Sequence, residues 1–199
     1  DEFTVDEKYI NLKNGVLDMT TGKLLPHSHE FKFLNRMEFN YEPTDKCPKI
    51  MGFIGSVVGC PEDNKTLLQI MAYTLHRRNN LQKSFMLLGE GDNGKSVFIR
   101  VLEAFLGDDS CSSVSLQELS NSNSRFKAAE LYGKLANTYA DLSNKALQDT
   151  GTFKALTGED AMTAERKFAH PFKFRNIAKL LYSCNRLPGT PDQSNGFFR

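Results

Sequence analysis

The sequence contains no tryptophan, no apolar run long enough to cross a bilayer and no close pair of cysteines. With 15 Phe and 6 Tyr but no Trp, phenylalanine is the main aromatic filler of any core, with rings to spare for surface contacts. A spanning helix needs about 20 consecutive apolar residues, so no membrane association is expected and a cytoplasmic setting is (host cytoplasm if the protein is viral or phage-encoded). Cys47, Cys60, Cys111 and Cys184 are too widely spaced for a zinc cluster or a disulfide framework, and reduced thiols fit that setting. Charge is also scarce in net terms. At a formal +1, bulk electrostatics neither require nor exclude nucleic acid, so any such contact must come from local patches. There is no secretory-leader pattern. The chain opens at Asp1 and is expected to be an excised piece of a longer protein, so that absence says little about the whole. A length of 199 residues with 40% hydrophobic and 25% charged content is an ordinary globular composition, enough for one large domain or one domain with a smaller companion.

The strongest motif is Gly89-Glu90-Gly91-Asp92-Asn93-Gly94-Lys95-Ser96, which reads G-x-x-x-x-G-K-S, the phosphate-binding loop pattern. Its flanks suit it. Phe85–Leu88 is a short apolar run ending at the first glycine, and from Lys95 through Val97 to Leu106 the apolar spacing is helical. Glycines let backbone N–H groups turn inward around phosphate oxygens, and the helix N-terminus adds unpaired donors and partial positive charge. Lys95 is expected to reach the terminal phosphates of a bound ligand and Ser96 to ligate Mg2+.

Residues 1–80 read as an accessory region and 81–199 as an α/β core with a mostly parallel sheet and flanking helices. Tyr9–Leu12, the Asn14-Gly15 turn, Val16–Met19 and Thr21-Gly22 predict a hairpin or small meander. His27 and His29, without a third ligand, read as a polar surface pair. A helix carries Ile50, Phe53, Ile54, Val57 and Val58 on one stripe and ends at Gly59-Cys60-Pro61. A second, Glu62 to Arg78, buries Leu67, Leu68, Met71, Ala72 and Leu75. His76, Arg77 and Arg78 then fall in its last turns, where they complement the helix dipole or contact nucleic acid. Further on, Ser112–Leu116 suggests a short strand, and Ser124 a cap for a helix carrying Phe126, Ala129, Leu131 and Tyr132. A helix is expected over Ala146–Leu156, and a third central strand over Ile177–Cys184.

A phosphate loop needs an acid at the end of a neighbouring strand, to hold magnesium or orient water. The run Leu135–Asp141 ends in the best candidate, Asp141, although a solvated strand-end aspartate has the same appearance. Glu159 and Asp160 are weaker, because Gly158 places them in a turn. Asn185 ends the third strand, where it is either a water- or γ-phosphate-sensing amide or a plain turn residue. Arg166 to Pro171 is basic and lies between two extended segments, Ala161–Glu165 and Phe172–Phe174, so it predicts a projecting hairpin loop. Lys167 and His170 suit backbone phosphates and Phe168 suits base stacking. The competing reading makes Phe168 a core anchor and the charges a solvated face.

Together these pieces resemble the superfamily 3 helicase domain of viral, phage and plasmid primase–helicases, an AAA+-like ATPase, and within it the poxvirus D5-like and phage P4-like type. The resemblance covers most of the chain. Asn14–Asp18 with Thr21-Gly22 and Pro26 is similar to the adjoining N-terminal region, and Gln82–Phe85 into the glycine loop to the family's P-loop entry. Tyr139-Ala140-Asp141 matches its acidic strand end, Phe153–Asp160 its intermediate motif, Arg166–His170 its DNA-binding hairpin, Ser183-Cys184-Asn185 its water-sensing strand and Gly196-Phe197-Phe198-Arg199 its arginine finger. Relatives carry two consecutive acids at the magnesium strand, whereas Ala140 stands at the first position here. The resemblance implies ATP and Mg2+ as cofactors, single-stranded or forked DNA as partner, a hexameric ring in the full-length protein, and Arg199 acting on the neighbouring subunit's nucleotide. The competing readings are a P-loop kinase or phosphotransferase, and a non-hydrolysing nucleotide-dependent DNA-binding scaffold.

Overall fold

In the computed structural model the described residues are 6–43, 46–121, 124–194 and 197. The glycine turns near the N-terminus produce the expected meander. Strands β1 (Tyr9–Leu12), β2 (Gly15–Asp18) and β3 (Lys23–Leu25) pair antiparallel in that order. Gly15 is required at its turn, because its φ is +154° and an added Cβ would stand 2.5 Å from the Leu25 carbonyl. Ile10, Leu12 and Val16 are buried, and Leu12 bridges to Met37.

Two helices follow, each started by a proline at its first turn, where the missing N–H costs nothing. Helix α1 (Pro48–Val57) buries Ile54, with Ile50, Phe53, Val57 and Val58 packed partly beside it, which is the expected stripe. Helix α2 (Pro61–Leu75) is shorter than expected. Its fully buried face is Leu67, Ile70 and Thr74, with Leu68, Met71 and Leu75 half-buried and Ala72 exposed. His76 is already extended, so the basic cluster lies beyond the helix and does not complement its dipole. Arg77 donates to Asn35 Oδ1 at 2.6 Å and stacks over Phe33, while Arg78 pairs with Glu159 at 3.0 Å. Tertiary partners claim these charges and stop the helix.

The α/β core is built on a four-stranded sheet in the order β4 (Phe85–Leu88), β9 (Lys179–Cys184), β6 (Ala136–Tyr139), β5 (Cys111–Ser112), with every neighbouring pair parallel. Strand β9 is buried at all its positions. It sends Leu180, Tyr182 and Cys184 into one core and Leu181 into the other, the period-two alternation of a strand covered on both faces. On the Leu181 face the sheet meets α3 (Lys95–Leu106) through Phe98, Ile99, Leu102 and Leu106, together with α1, α2 and the meander. On the other face lie α4 (Leu116–Leu119), α5 (Ser124–Ala128) continued by a 3-10 turn to Leu131, and α6 (Gly151–Thr157). The fold is therefore α/β with a mostly parallel central sheet flanked by helices.

Three local expectations are corrected by the packing. Strand β5 stops at Ser112, and the side chain of buried Asn137 takes over its ladder. The Asn137 Oδ1 accepts from Ser112 Oγ and Val114 N, and its Nδ2 donates to Val114 O, all at 2.9 Å. Leu116 then opens α4 behind a capping box in which Ser115 and Glu118 satisfy each other's backbone N–H. Helix α6 begins at Gly151 and not near Ala146, because Leu147 N is drawn to Gly189 O and Asp149 N to Ser120 O. Ser124 is the first residue of α5 and accepts from Thr152 Oγ1. Finally β7 (Ala161–Ala164) and β8 (Phe172–Arg175) pair antiparallel as a separate hairpin.

Candidate nucleotide-binding edge and projecting hairpin

Parallel pairing decides what stands beside the glycine loop. Leu88 is in register with Cys184, and Gly89 N donates to Cys184 O at 3.3 Å, so the ladder runs one step into the loop. Asn185, exposed, leaves β9 at that point. From the other side Leu142 N donates to Ser183 O at 2.8 Å and Asp141 N to Ser183 Oγ at 3.2 Å. Gly89, Asn185 and Asp141 thus share the C-terminal edge of the sheet, where open α/β folds bind their ligands. The neighbouring strand of β4 is nevertheless β9 and not β6, which corrects the expected placement of the Asp141 strand beside the P-loop strand. At about 4.8 Å per strand step, β6 lies roughly 10 Å from β4. A carboxylate at that distance would reach a loop-bound phosphate only through an ion and its waters.

The loop itself is shaped for backbone donors. Gly94 has φ +83° and Asp92 φ +56°, both left-handed. A Cβ at residue 89 would stand 2.1 Å from Asn93 Nδ2, and one at residue 94 would stand 2.4 Å from Val57 Cγ1. Helix α3 has neither a side-chain N-cap bond nor an acid in its first turn, so its leading N–H groups have no carboxylate competitor. Lys95 folds back over the loop and donates to Gly89 O (2.7 Å), Glu90 O (2.7 Å) and Asn93 Oδ1 (2.8 Å). Ser96 is half-buried in the same first turn, Val97 is 45% exposed, and Glu90, Gly91 and Asp92 are exposed. Burial pushes the Cys184 thiol up, against the opposing pull of Lys95 nearby.

Asp141 is exposed with φ +55°. Glu159 goes elsewhere. It pairs with Arg78, whose hydrogen bond holds its carboxyl below the usual range, and it acts electrostatically on Lys179 at the start of β9, the end of the strand remote from Asn185. Among the described residues no group of three or more His, Cys, Asp or Glu could hold a metal ion. Magnesium needs no such cluster, because it keeps several waters and takes one or two carboxylates plus phosphate oxygens. Ser96 and Asp141 are the residues that would hold it.

The β7–β8 hairpin presents the basic segment. Ala164 pairs with Phe172, closing a loop over residues 165–171. Phe168 is fully exposed with φ +63°, which overturns its reading as a core anchor. Lys167 and His170 are exposed beside it. Arg166 stays at the base, over the Tyr132 and Phe172 rings at 5.8 and 5.3 Å, and Arg125 pairs with Glu165 at 3.2 Å. Arg199 lies outside the described residues, as do Gly196 and Phe198. Among the described residues nearby, Phe197 lies against Phe153 at 5.2 Å and Asp192 accepts from Lys154 at 2.8 Å. The Lys154 hydrogen bond, reinforced by Ser194 and Thr150, holds the Asp192 carboxyl far below the usual range.

Comparison with known proteins adds a family. Residues 87–199, more than half of the chain, match the model described as a family of unknown function, DUF5906. The chain belongs to the DUF5906 family. Residues 1–59 of this DUF5906 member match a second model, described as D5 N terminal like. Along 198 residues it is 25% identical to "Putative helicase L207/L206" of Acanthamoeba polyphaga mimivirus. That match covers 96% of the chain but spans about a fifth (21%) of the viral protein. Among solved structures, two apo forms of the NrS-1 C-terminal region superpose with TM-scores of 0.59 and 0.58 at 14% and 13% identity. They cover 79% and 76% of the chain and 40% and 37% of those structures, and at such identity they speak for the fold.

Sequence reasoning missed several residues that organise these elements. Lys179 is fully buried and donates to His76 O and Ile177 O. Asn79 and Asn176, both 2% exposed, share the Leu156 carbonyl. A lysine opening an apolar strand and two asparagines in polar turns have no local pattern that marks them.

Proposed function

We propose that this chain is the ATP-driven motor domain of a DNA helicase of the replication primase–helicase type. The observation that carries the reading is the glycine loop. It has an uncapped helix behind it, its lysine folded into it, and Asn185 and Asp141 on the same sheet edge. Lys95, released from the loop carbonyls, would exchange those acceptors for phosphate oxygens of ATP. The backbone of residues 89–94 and the first turn of α3, Lys95 to Val97, would cradle the remaining phosphates. Ser96 and Asp141 would hold Mg2+, which supplies charge neutralisation when bound. Asn185 would position the attacking water without adding negative charge.

The hairpin supports the DNA half of the reading. Lys167 and His170 offer phosphate contacts around an exposed Phe168 that is free to stack, which suits single-stranded DNA of any sequence. The matches to the D5 N terminal like model and to the mimivirus protein support the same class. In a ring of such subunits, Arg199 would reach the γ-phosphate held by the next subunit and stabilise charge developing in the transition state.

The test is ATP hydrolysis by the full-length protein with and without single-stranded DNA. Wild type is expected to hydrolyse ATP faster with DNA present, and folded Lys95→Ala to lose tight ATP binding or turnover. Full hydrolysis by Lys95→Ala would remove the phosphate-loop assignment. Hydrolysis indifferent to DNA would favour a small-molecule phosphotransferase.

A further inference from the structure

The last residue of α1 touches the phosphate loop. Val57 Cγ1 stands 2.4 Å from the point a Cβ on Gly94 would occupy, and Val57 Cβ stands 3.1 Å from it. The valine side chain therefore lies directly on the Gly94 backbone, in space that only glycine leaves open. Gly94 also holds φ +83°, a left-handed conformation that glycine adopts without a Cβ penalty. Three residues earlier, Ile54 is 1% exposed and sits in the core that contains Phe98, Ile99 and Leu102 of α3. Helix α1 thus grips the α3 side of the fold through Ile54 and presses on the loop entering α3 through Val57.

We propose that Val57 is a positioning residue for the phosphate loop, so that its seat on Gly94 sets the nucleotide affinity of the core. The inference rests on the nucleotide-binding reading of that loop. An unliganded glycine-rich loop has many backbone states, and binding must select the one whose N–H groups converge. A branched side chain seated on Gly94 removes part of that freedom beforehand. Truncating it returns the freedom without touching any group that meets the nucleotide. The same contact gives a route by which a partner or segment that shifts α1 would weaken or tighten nucleotide binding, because the loop has no side chain of its own at residue 94 with which to compensate.

The experiment uses the full-length protein with a fluorescent ATP analogue and Mg2+, and amide hydrogen exchange over residues 89–96 in the nucleotide-free state. Val57→Ala removes two methyl groups, and its affinity is expected to fall about three- to ten-fold, with faster exchange confined to the loop and an unchanged fold. Val57→Thr keeps the branched shape and is expected to restore both readouts. Ile54→Val, a mild core truncation on the same helix, is expected to lower thermal stability while leaving affinity at the wild-type value. Wild-type affinity and loop exchange in Val57→Ala would overturn the proposal while leaving nucleotide binding intact. So would affinity losses in Val57→Ala and Ile54→Val that simply track stability. Failure of the wild type to bind, or equal binding by Lys95→Ala, would instead remove the nucleotide reading and this inference with it.

Discussion

Lys179 makes the pH dependence of stability measurable. Its side chain is wholly buried at the start of β9, and among the described residues no carboxylate is bonded to it. Its amine faces His76 O, Ile177 O and the Tyr73 ring at 4.7 Å, with Glu159 and Arg77 acting at longer range. Burial pushes its pKa from the ordinary 10.5 down to about 7, Glu159 opposes that shift and Arg77 adds to it. A neutral amine still has two N–H groups for the two carbonyls, so deprotonation breaks neither bond. The sign follows from proton counts. Between about pH 7 and 10.5 the unfolded chain holds the proton and the folded chain does not, so stability rises with pH through that window and is lost as pH falls. With these two values the contribution of Lys179 grows by roughly 2.5 kcal/mol between about pH 6 and about pH 9. Lys179→Met lacks the titration, and other groups cancel in the difference. Urea unfolding of both proteins across that range is expected to show wild type gaining on the variant by about that amount. Parallel profiles would show that the ammonium keeps its proton in the fold.

Four further outcomes are expected. Asp141→Asn should depress magnesium-dependent turnover more than nucleotide binding, and an unchanged kcat at saturating Mg2+ would place the acid elsewhere. Lys167→Ala with His170→Ala should weaken single-stranded DNA binding with little sequence dependence and lower its salt slope, read by fluorescence anisotropy at two salt concentrations, while DNA-independent ATPase survives. Asn176→Ala strips donors from Leu156 O and Ala178 O and an acceptor from Ala178 N, and should cost roughly 2–3 kcal/mol in chemical denaturation. Arg199→Ala should lower kcat in the assembled full-length protein more than it lowers affinity, and mixing it with Lys95→Ala should recover activity. No recovery despite proven co-assembly would count against action between subunits.

Local chemistry was legible wherever a few adjacent residues carry the whole constraint. The glycine–lysine–serine spacing placed the start of a helix at Lys95, directly after the glycine loop, and the Asn14-Gly15 and Thr21-Gly22 turns announced the meander. The basic run at Arg166–Pro171 between two extended segments announced the β7–β8 hairpin. Turn and cap geometry is decided within a few bonds, so composition suffices there. Strand order is not local, and only the tertiary structure put β9 between the phosphate-loop strand and the strand before Asp141. Through the same fold Glu159 was drawn to Arg78 and away from the loop edge, and the charges beyond Leu75 went to Asn35 and Glu159 and not to a helix end. Phe168 is the plainest case. The sequence left it between a stacking side chain on a projecting loop and a core anchor, and a two-stranded hairpin whose loop carries φ +63° at that position leaves the ring no interior to enter. Burial depends on what the rest of the chain brings up against a residue, and nothing in residues 165–171 encodes that.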